Sequence, residues 1–298
     1  MNKKFIFIGN RFFVLEQMLR LGLHFVKIMA VKGSYLQKEL ENRNIAFTLI
    51  QSKQQLVDEI KNCNFDIFFS NGCPFILPID ELKVGNKQFI NIHPSFLPDL
   101  RGADPQPGAL LFGKDSGVTC HVMDDGIDTG EIIAQVKIPY SRDLDAALLY
   151  QISFMAEIDV FYKAYENNFE VQTTQVLKGD EIYYSKKDND LIIDFNQSAE
   201  IIYQKIKAFS NRSQGAYFIF EGRKYKVYDC EIVDNDYLIS KFDRCQNGEV
   251  ALNYENKLLI KVEDKLLKFK DFNNDILSFK AGMVLENKNE VDKKRLNI

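Results

Sequence analysis

The chain has no tryptophan, three histidines and seven prolines in 298 residues, and its five cysteines are odd in number and scattered. Cys63, Cys73, Cys120, Cys230 and Cys245 form no Cys-x-x-Cys pair, which argues against a disulfide framework or a cysteine zinc site and for free thiols in a reducing compartment. No apolar run approaches the ~20 residues that span a bilayer, and the start, MNKKFIFIGNRFF, has too short an apolar stretch for a secretory signal. A cytoplasmic protein with no membrane partner is expected. Positive charge is not in excess: 38 Lys and Arg stand against 42 Asp and Glu, a net charge of -4. That balance lacks the basic footprint of an electrostatic nucleic-acid binder. Several motifs are missing too. The first strand is followed by Gly9, Asn10 and Arg11 and not by GxGxxG, which disfavours a nicotinamide dinucleotide. There is no P-loop and no HExxH, and the acidic stretch MDDGIDTGE lacks EF-hand spacing, so no metal is implied.

What is present is ordinary globular composition, 46% hydrophobic and 27% charged, in a length that suggests two domains at ~150 residues each. The first half alternates two patterns. Short apolar runs at 4–9, 27–31, 46–51, 65–70 and 89–92 read as buried strands, and helical spacing falls at 13–21, 34–44 and 52–63, with Ser52 as an N-cap. Continuous apolar strands between helices indicate a parallel sheet covered on both faces, a Rossmann-like doubly wound α/β core. Strands are then expected at 118–123 and 131–139 without a long helix between them, and a long helix at 143–170. The character changes after Phe169. Tyr183, Tyr184, Ile192, Ile193 and Phe195 read as short strands, 197–209 as an amphipathic helix capped by Asn196, and 215–279 as short strands and turns, a small β-barrel or sandwich. The polar end, 288–298, is expected to fray.

One block carries chemistry: FINIHPSFLPDLRGADPQPGALLFGKDSGVTCHVMDDGIDTGEIIAQ. Period two puts Asn91 and His93 on one face of a strand, and Pro94 ends the ladder, so both side chains sit at its carboxyl end, where open α/β sheets hold ligands. A second strand presents His121. A Gly-punctuated acidic loop, Asp124 to Gly130, can bring Asp128 near His93. Each piece alone has a bland reading as a polar pair or a turn. Their order and spacing together do not.

This block resembles the folate-dependent formyltransferases, the family of glycinamide ribonucleotide, methionyl-tRNA and sugar-nucleotide N-formyltransferases. The pattern Asn-x-His, Ser-x-Leu-Pro, Arg-Gly, Gly-Val-Thr-x-His and Asp-x-Gly-x-Asp-Thr-Gly is matched in order by Asn91, His93, Ser95, Leu97, Pro98, Arg101, Gly102, Gly117, His121, Asp124, Gly126 and Asp128. The tail also looks like that of the methionyl-tRNA branch, in DFNQSAEIIYQKIKAFSNRSQGAYF. The resemblance implies a catalytic domain over 1–180 and an OB-like β-rich domain over 190–298. It implies 10-formyltetrahydrofolate as cosubstrate and a primary amine as acceptor. Asn91 and protonated His93 would donate to the formyl oxygen, and Asp128 would hold His93, raise its pKa and pass protons. The same resemblance assigns the folate pocket to Pro74, Phe75, Ile76 and Leu77, completed by the loop with Asp124 and Asp125. Asn10, Arg11, Arg101, Gly102 and His121 are expected on the acceptor side.

The resemblance, narrowed by elimination among the family's branches, implies the acceptor. The methionyl-tRNA branch carries a long basic insertion in its first domain, whereas here Val31-Lys32-Gly33 runs into SYLQKELENRNIAF, which mixes Lys and Arg with Glu. Phosphate-tracking affinity should then be poor. The extra β domain disfavours the glycinamide ribonucleotide branch. An amino-sugar nucleotide remains, such as a dTDP- or UDP-linked amino-deoxysugar of lipopolysaccharide O-antigen or other surface glycans. The alternatives are a methionyl-tRNA formyltransferase with a trimmed insertion and a non-catalytic binding protein on the same fold. A homodimer would cover the alternating apolar strands of the tail.

Overall fold

A computed structural model describes residues 3–286, so the polar stretch 288–298 lies outside the described residues. The chain divides into two compact units, one of Met1–Pro105, Asp115–Pro139 and Gln151–Tyr184, the other of Gln106–Lys114, Tyr140–Tyr150 and the remainder from Ser185.

The chain begins with β1 (Lys4–Gly9), α1 (Phe13–Arg20), β2 (His24–Val31), α2 (Tyr35–Asn42), β3 (Thr48–Ile50), α3 (Lys53–Lys61) and β4 (Ile67–Asn71). A short α4 (Ile79–Leu82), β5 (Gln88–His93), α5 (Pro105–Phe112), β6 (Ser116–Val122), β7 (Ile132–Ile138) and the long α6 (Ala146–Glu166) follow. The strands form a seven-stranded sheet in the order β3-β2-β1-β4-β5-β6-β7. Pairing is parallel from β3 to β5 and turns antiparallel at β6 and β7, so the sheet is mostly parallel. The chain leaves β1 toward β2 on one side and β4 toward β5 on the other, which makes the β1–β4 gap the switch point of the sheet.

Period two explains the two cores. Ile6 and Ile8 of β1 pack with Met29, Leu56, Ile60, Phe68 and Phe89. On the other face, Phe5 and Phe7 meet Phe69 and Phe169, and Phe161 of α6 closes edge-on against Phe69. Each such buried aromatic contributes about 1.5–3 kcal/mol by leaving water. The expected cap Ser52 accepts from the Gln55 amide, and Ser34 caps α2 in the same way by accepting from Gln37. The helix α5 was not expected from PQPGALLF; Pro105 stands at its first position, where a missing N–H costs nothing.

In the second unit a 3-10 turn (Asp188–Leu191) precedes α7 (Ala199–Ala208), β8 (Ala216–Phe220), β9 (Arg223–Val233), α8 (Asp236–Lys241), β10 (Val250–Tyr254), β11 (Lys257–Lys261) and β12 (Leu266–Phe272). The antiparallel sheet runs β10-β11-β12-β9-β8. Segment 282–286 touches both of its edges, with the Gly282 amide donating to Val250 at 2.9 Å and the Glu286 amide donating to Ile219 at 3.1 Å. Phe195, Phe218, Phe269 and Phe279 form the aromatic centre.

Three expectations need correction here. Tyr183 and Ile192 make single bridges, not strands, because their neighbours find no second rung. Asn196 does not cap α7; the N-cap is Ser198, and the Ala199 amide is satisfied by the distant Asp264 carboxylate at 2.7 Å. The helix α8 was missed, though Asn235 caps it by accepting from Leu238 at 3.0 Å. Among the described residues no helix is long and apolar enough to cross a membrane.

Candidate active site

A cavity of about 430 Å³ opens at the carboxyl ends of β1, β4 and β5, beside the switch point. Its wall includes Asn10, Arg11, Pro74, Phe75, Ile76, Leu77, Asn91, His93, Gly102, His121, Asp124 and Asp128. Such a volume suits a small-molecule ligand.

Antiparallel register sets the polar centre. Asn91 on β5 lies opposite His121 on β6, and His93 lies opposite Thr119. The Leu100 carbonyl can only accept, so His93 Nε2 donates to it at 3.0 Å, leaving His93 Nδ1 at 3.4 Å from Asp128 Oδ1. His121 Nδ1 likewise donates to the Val122 carbonyl at 2.8 Å, and its Nε2 faces the Asn91 amide nitrogen at 3.3 Å and Asp128 Oδ1 at 3.6 Å. One carboxylate oxygen therefore stands between two imidazoles. The other, Oδ2, accepts from the Gly102 amide at 3.1 Å.

Burial pushes the His93 imidazole below its ordinary value, His121 and Arg11 add to the lowering, and the Asp128 carboxylate and the Leu100 carbonyl oppose it without reversing it. Asp128 does raise the His93 pKa, as expected, but the dry setting outweighs the carboxylate, which corrects the expectation of a protonated His93: the resting ring is neutral. Burial also works to raise the Asp128 carboxyl, but the two imidazoles beside it, first His121 and then His93, and the Gly102 amide hold it at about 2. Cys73 lies on the same wall, and burial pushes its thiol up to about 11, so it carries no thiolate nucleophile at neutral pH.

The surrounding motif residues are scaffold. Thr119 Oγ1 donates to the Ser95 carbonyl at 2.8 Å and accepts from the Leu97 amide at 3.1 Å, and Ser95 Oγ donates to the Asp99 carbonyl at 2.9 Å. These bonds fix the loop that follows His93. Gly72 begins the apolar loop at φ 78°, and a Cβ there would run into the Asn10 side chain. In the acidic loop, Asp124 accepts from the Thr129 hydroxyl at 2.6 Å and the Gly126 amide at 3.1 Å.

Two predicted site residues stand off the cavity wall. Arg101 turns its guanidinium to Gln175, with Nη2 donating to Oε1 at 2.6 Å. Asp125 is exposed and accepts from the Asp80 amide at 3.1 Å. Two residues were not foreseen: Gln175, and the buried Glu157 that pairs with Arg11 at 2.7 Å. A Glu set between Met155, Ala156 and Ile158 in α6 is the available signal for the second.

The sheet is Rossmann-like, with an Asn-x-His strand end and an aspartate across from it. Residues 34–164 match the Formyl transferase family and residues 186–276 match its C-terminal domain. The chain belongs to the formyl transferases. It is 28% identical over 218 residues to the methionyl-tRNA formyltransferase of Clostridium beijerinckii, covering 71% of this chain and 70% of that one. Among solved structures, WlaRD, a sugar 3N-formyl transferase crystallised with dTDP and 5-N-formyl-THF, superposes with a TM-score of 0.72 at 23% identity, over 93% of this chain and all of that one (100%). The N-formyltransferase from Helicobacter canadensis, in complex with folinic acid and dTDP-3-aminofucose, superposes with a TM-score of 0.70 at 20% identity, over 91% and 100%. These two likenesses are likenesses of fold.

Proposed function

We propose that this chain moves the formyl group of 10-formyltetrahydrofolate to the amine of a nucleotide-linked amino-deoxysugar. The observation that carries the reaction type is the placement of Asn91, His93 and Asp128 around one cavity, with Asp128 ionised and His93 neutral. The pterin fits the wall of Pro74, Phe75, Ile76 and Leu77, where Ile76 is left more than half exposed at the cavity. The acceptor amine attacks the formyl carbon and a C–N bond forms. The Asn91 amide donates to the oxygen as it gains negative charge, a role commonly worth a few kcal/mol per donor. Neutral His93 takes the proton of the attacking amine, and the resulting imidazolium is paired by Asp128. The proton then passes to the folate nitrogen as its bond to the formyl carbon breaks. No covalent enzyme intermediate enters.

Charge favours a sugar acceptor over tRNA. In the segment where a basic insertion would lie, Arg43 is engaged by Glu39 at 3.2 Å and Glu16 at 3.6 Å and rests over the Phe12 ring at 4.4 Å. That leaves Lys32 and Lys38 as the other exposed cations of this segment, too few to track a phosphate backbone. The second reading, methionyl-tRNA formyl transfer, is favoured by the name of the Clostridium relative and by the matching C-terminal domain. The deciding experiment screens amino-sugar nucleotides with 10-formyltetrahydrofolate by mass spectrometry for gain of one formyl group, beside an initiator-tRNA gel shift across a salt series. Formylated sugar nucleotide with weak tRNA binding is expected. Tight, steeply salt-dependent tRNA binding without sugar turnover would overturn the sugar reading.

A further inference from the structure

Residues 171–180 are exposed except for one, Gln175, whose side chain is drawn beneath the surface. Its amide nitrogen donates twice, to the Asp128 carbonyl at 2.9 Å and to the Gly130 carbonyl at 2.7 Å. Its amide oxygen accepts from Arg101 Nη2 at 2.6 Å. The guanidinium can only donate, so it fixes which end of the amide faces which partner. Gly102, the neighbour of Arg101, donates its amide to Asp128 Oδ2 at 3.1 Å. Four residues thus close a hydrogen-bonded ring around Asp128: Gln175 holds its backbone, Gly102 its carboxylate, and Arg101 joins the two.

Asp128 needs such a hold. Its φ is 54°, in the left-handed region that aspartate enters more readily than most side chains but still at a cost relative to glycine. A residue in that state persists only where its surroundings over-determine it. Here the conformation aims Oδ1 between His93 Nδ1 and His121 Nε2.

We propose that Gln175 is a positioning residue, which keeps Asp128 in the left-handed conformation that seats its carboxylate between the two imidazoles. Arg101 then serves the reaction by orienting the Gln175 amide and not by touching the acceptor. The inference rests on the reading of Asp128 as the partner of His93. Glutamine is the side chain that fits: glutamate offers acceptors alone, methionine offers no strong partner, and asparagine is one methylene short.

The test is an NMR titration of the imidazoles in the full-length protein, which needs no substrate and has three histidines to assign. Asp128→Asn sets the scale by removing the negative charge that faces His93, while His121 and Arg11, the other groups facing it, stay in place. Gln175→Met is expected to move the His93 titration in the same acid direction by at least half that displacement. The double variant should titrate like Asp128→Asn alone, and tetrahydrofolate affinity by calorimetry should stay at the wild-type value. Should Gln175→Met fail to fold, Gln175→Asn carries the same comparison. A His93 titration in the folded variant that overlays the wild type overturns the proposal. A flat response to Asp128→Asn itself overturns the underlying reading and the proposal with it, so the two failures are distinguishable.

Discussion

Glu157, fully buried on α6, grips the guanidinium of Arg11 at two points, with Nη2 2.7 Å from Oε1 and Nε donating to Oε2 at 3.1 Å. Burial pushes the Glu157 carboxyl up, and Arg11 and Asn71 pull it back. Removing one partner of a buried pair strands the other charge, at about 3–5 kcal/mol, whereas replacing both is far milder. Glu157→Leu is therefore expected to lower the denaturant midpoint sharply, and Arg11→Met in the same chain to restore most of the loss. Equal midpoints for the wild type and Glu157→Leu would show that the pair does no structural work.

The proton-handling pair should respond to single substitutions. His93→Ala and Asp128→Asn are each expected to lower kcat by at least ~10²-fold, the usual scale for a general acid–base group. Tetrahydrofolate binding and far-UV circular dichroism should be retained. Near-wild-type turnover in either variant would remove that residue from the mechanism.

The pH profile has a fixed sign. Neutral His93 is the working form and burial holds its pKa below 6.5, so the acid limb of kcat/KM should fall below pH 6.5. The carboxylate raises the His93 pKa, so the residual activity of Asp128→Asn should show that limb at still lower pH. Stability follows a separate window. Asp128 is held at about 2 against an ordinary 3.8. Its ionised form thus contributes about 2 kcal/mol, fully present above pH 3.8 and lost as pH falls toward 2. The wild type's advantage over Asp128→Asn in urea should shrink across that interval. An advantage that persists at pH 2 would refute the assignment.

Gly72→Ala meets two penalties, a φ of 78° and a collision with the Asn10 side chain. A loss of about 1–3 kcal/mol is expected, together with weaker folate binding as the loop that leads to Leu77 shifts. Unchanged calorimetric affinity would show that this loop does not shape the folate pocket.

The sequence revealed what depends on near neighbours. The limits of β1, the Ser52 cap and the shared face of Asn91 and His93 all follow from spacing of one to four residues. Long-range partners left no such trace. Arg11 reads in the sequence as a turn residue, yet its carboxylate lies 146 positions away, and Arg101 reads as an acceptor-side residue although its partner Gln175 lies 74 positions on. The α7 cap failed for the same reason: the Asp264 carboxylate that serves it is 65 residues distant. The neutral form of His93 is not legible in the sequence, because desolvation depends on what covers a ring, which pattern does not record.

The segment 282–286, which bonds to β10 through Gly282 and to β8 through Glu286, gives the second unit a seam. An open sheet offers unpaired N–H and C=O groups along its outer strands, a template on which other chains can stack. Here one short segment covers part of both templates at once. Release of this one segment would uncover parts of two sheet edges in a single event.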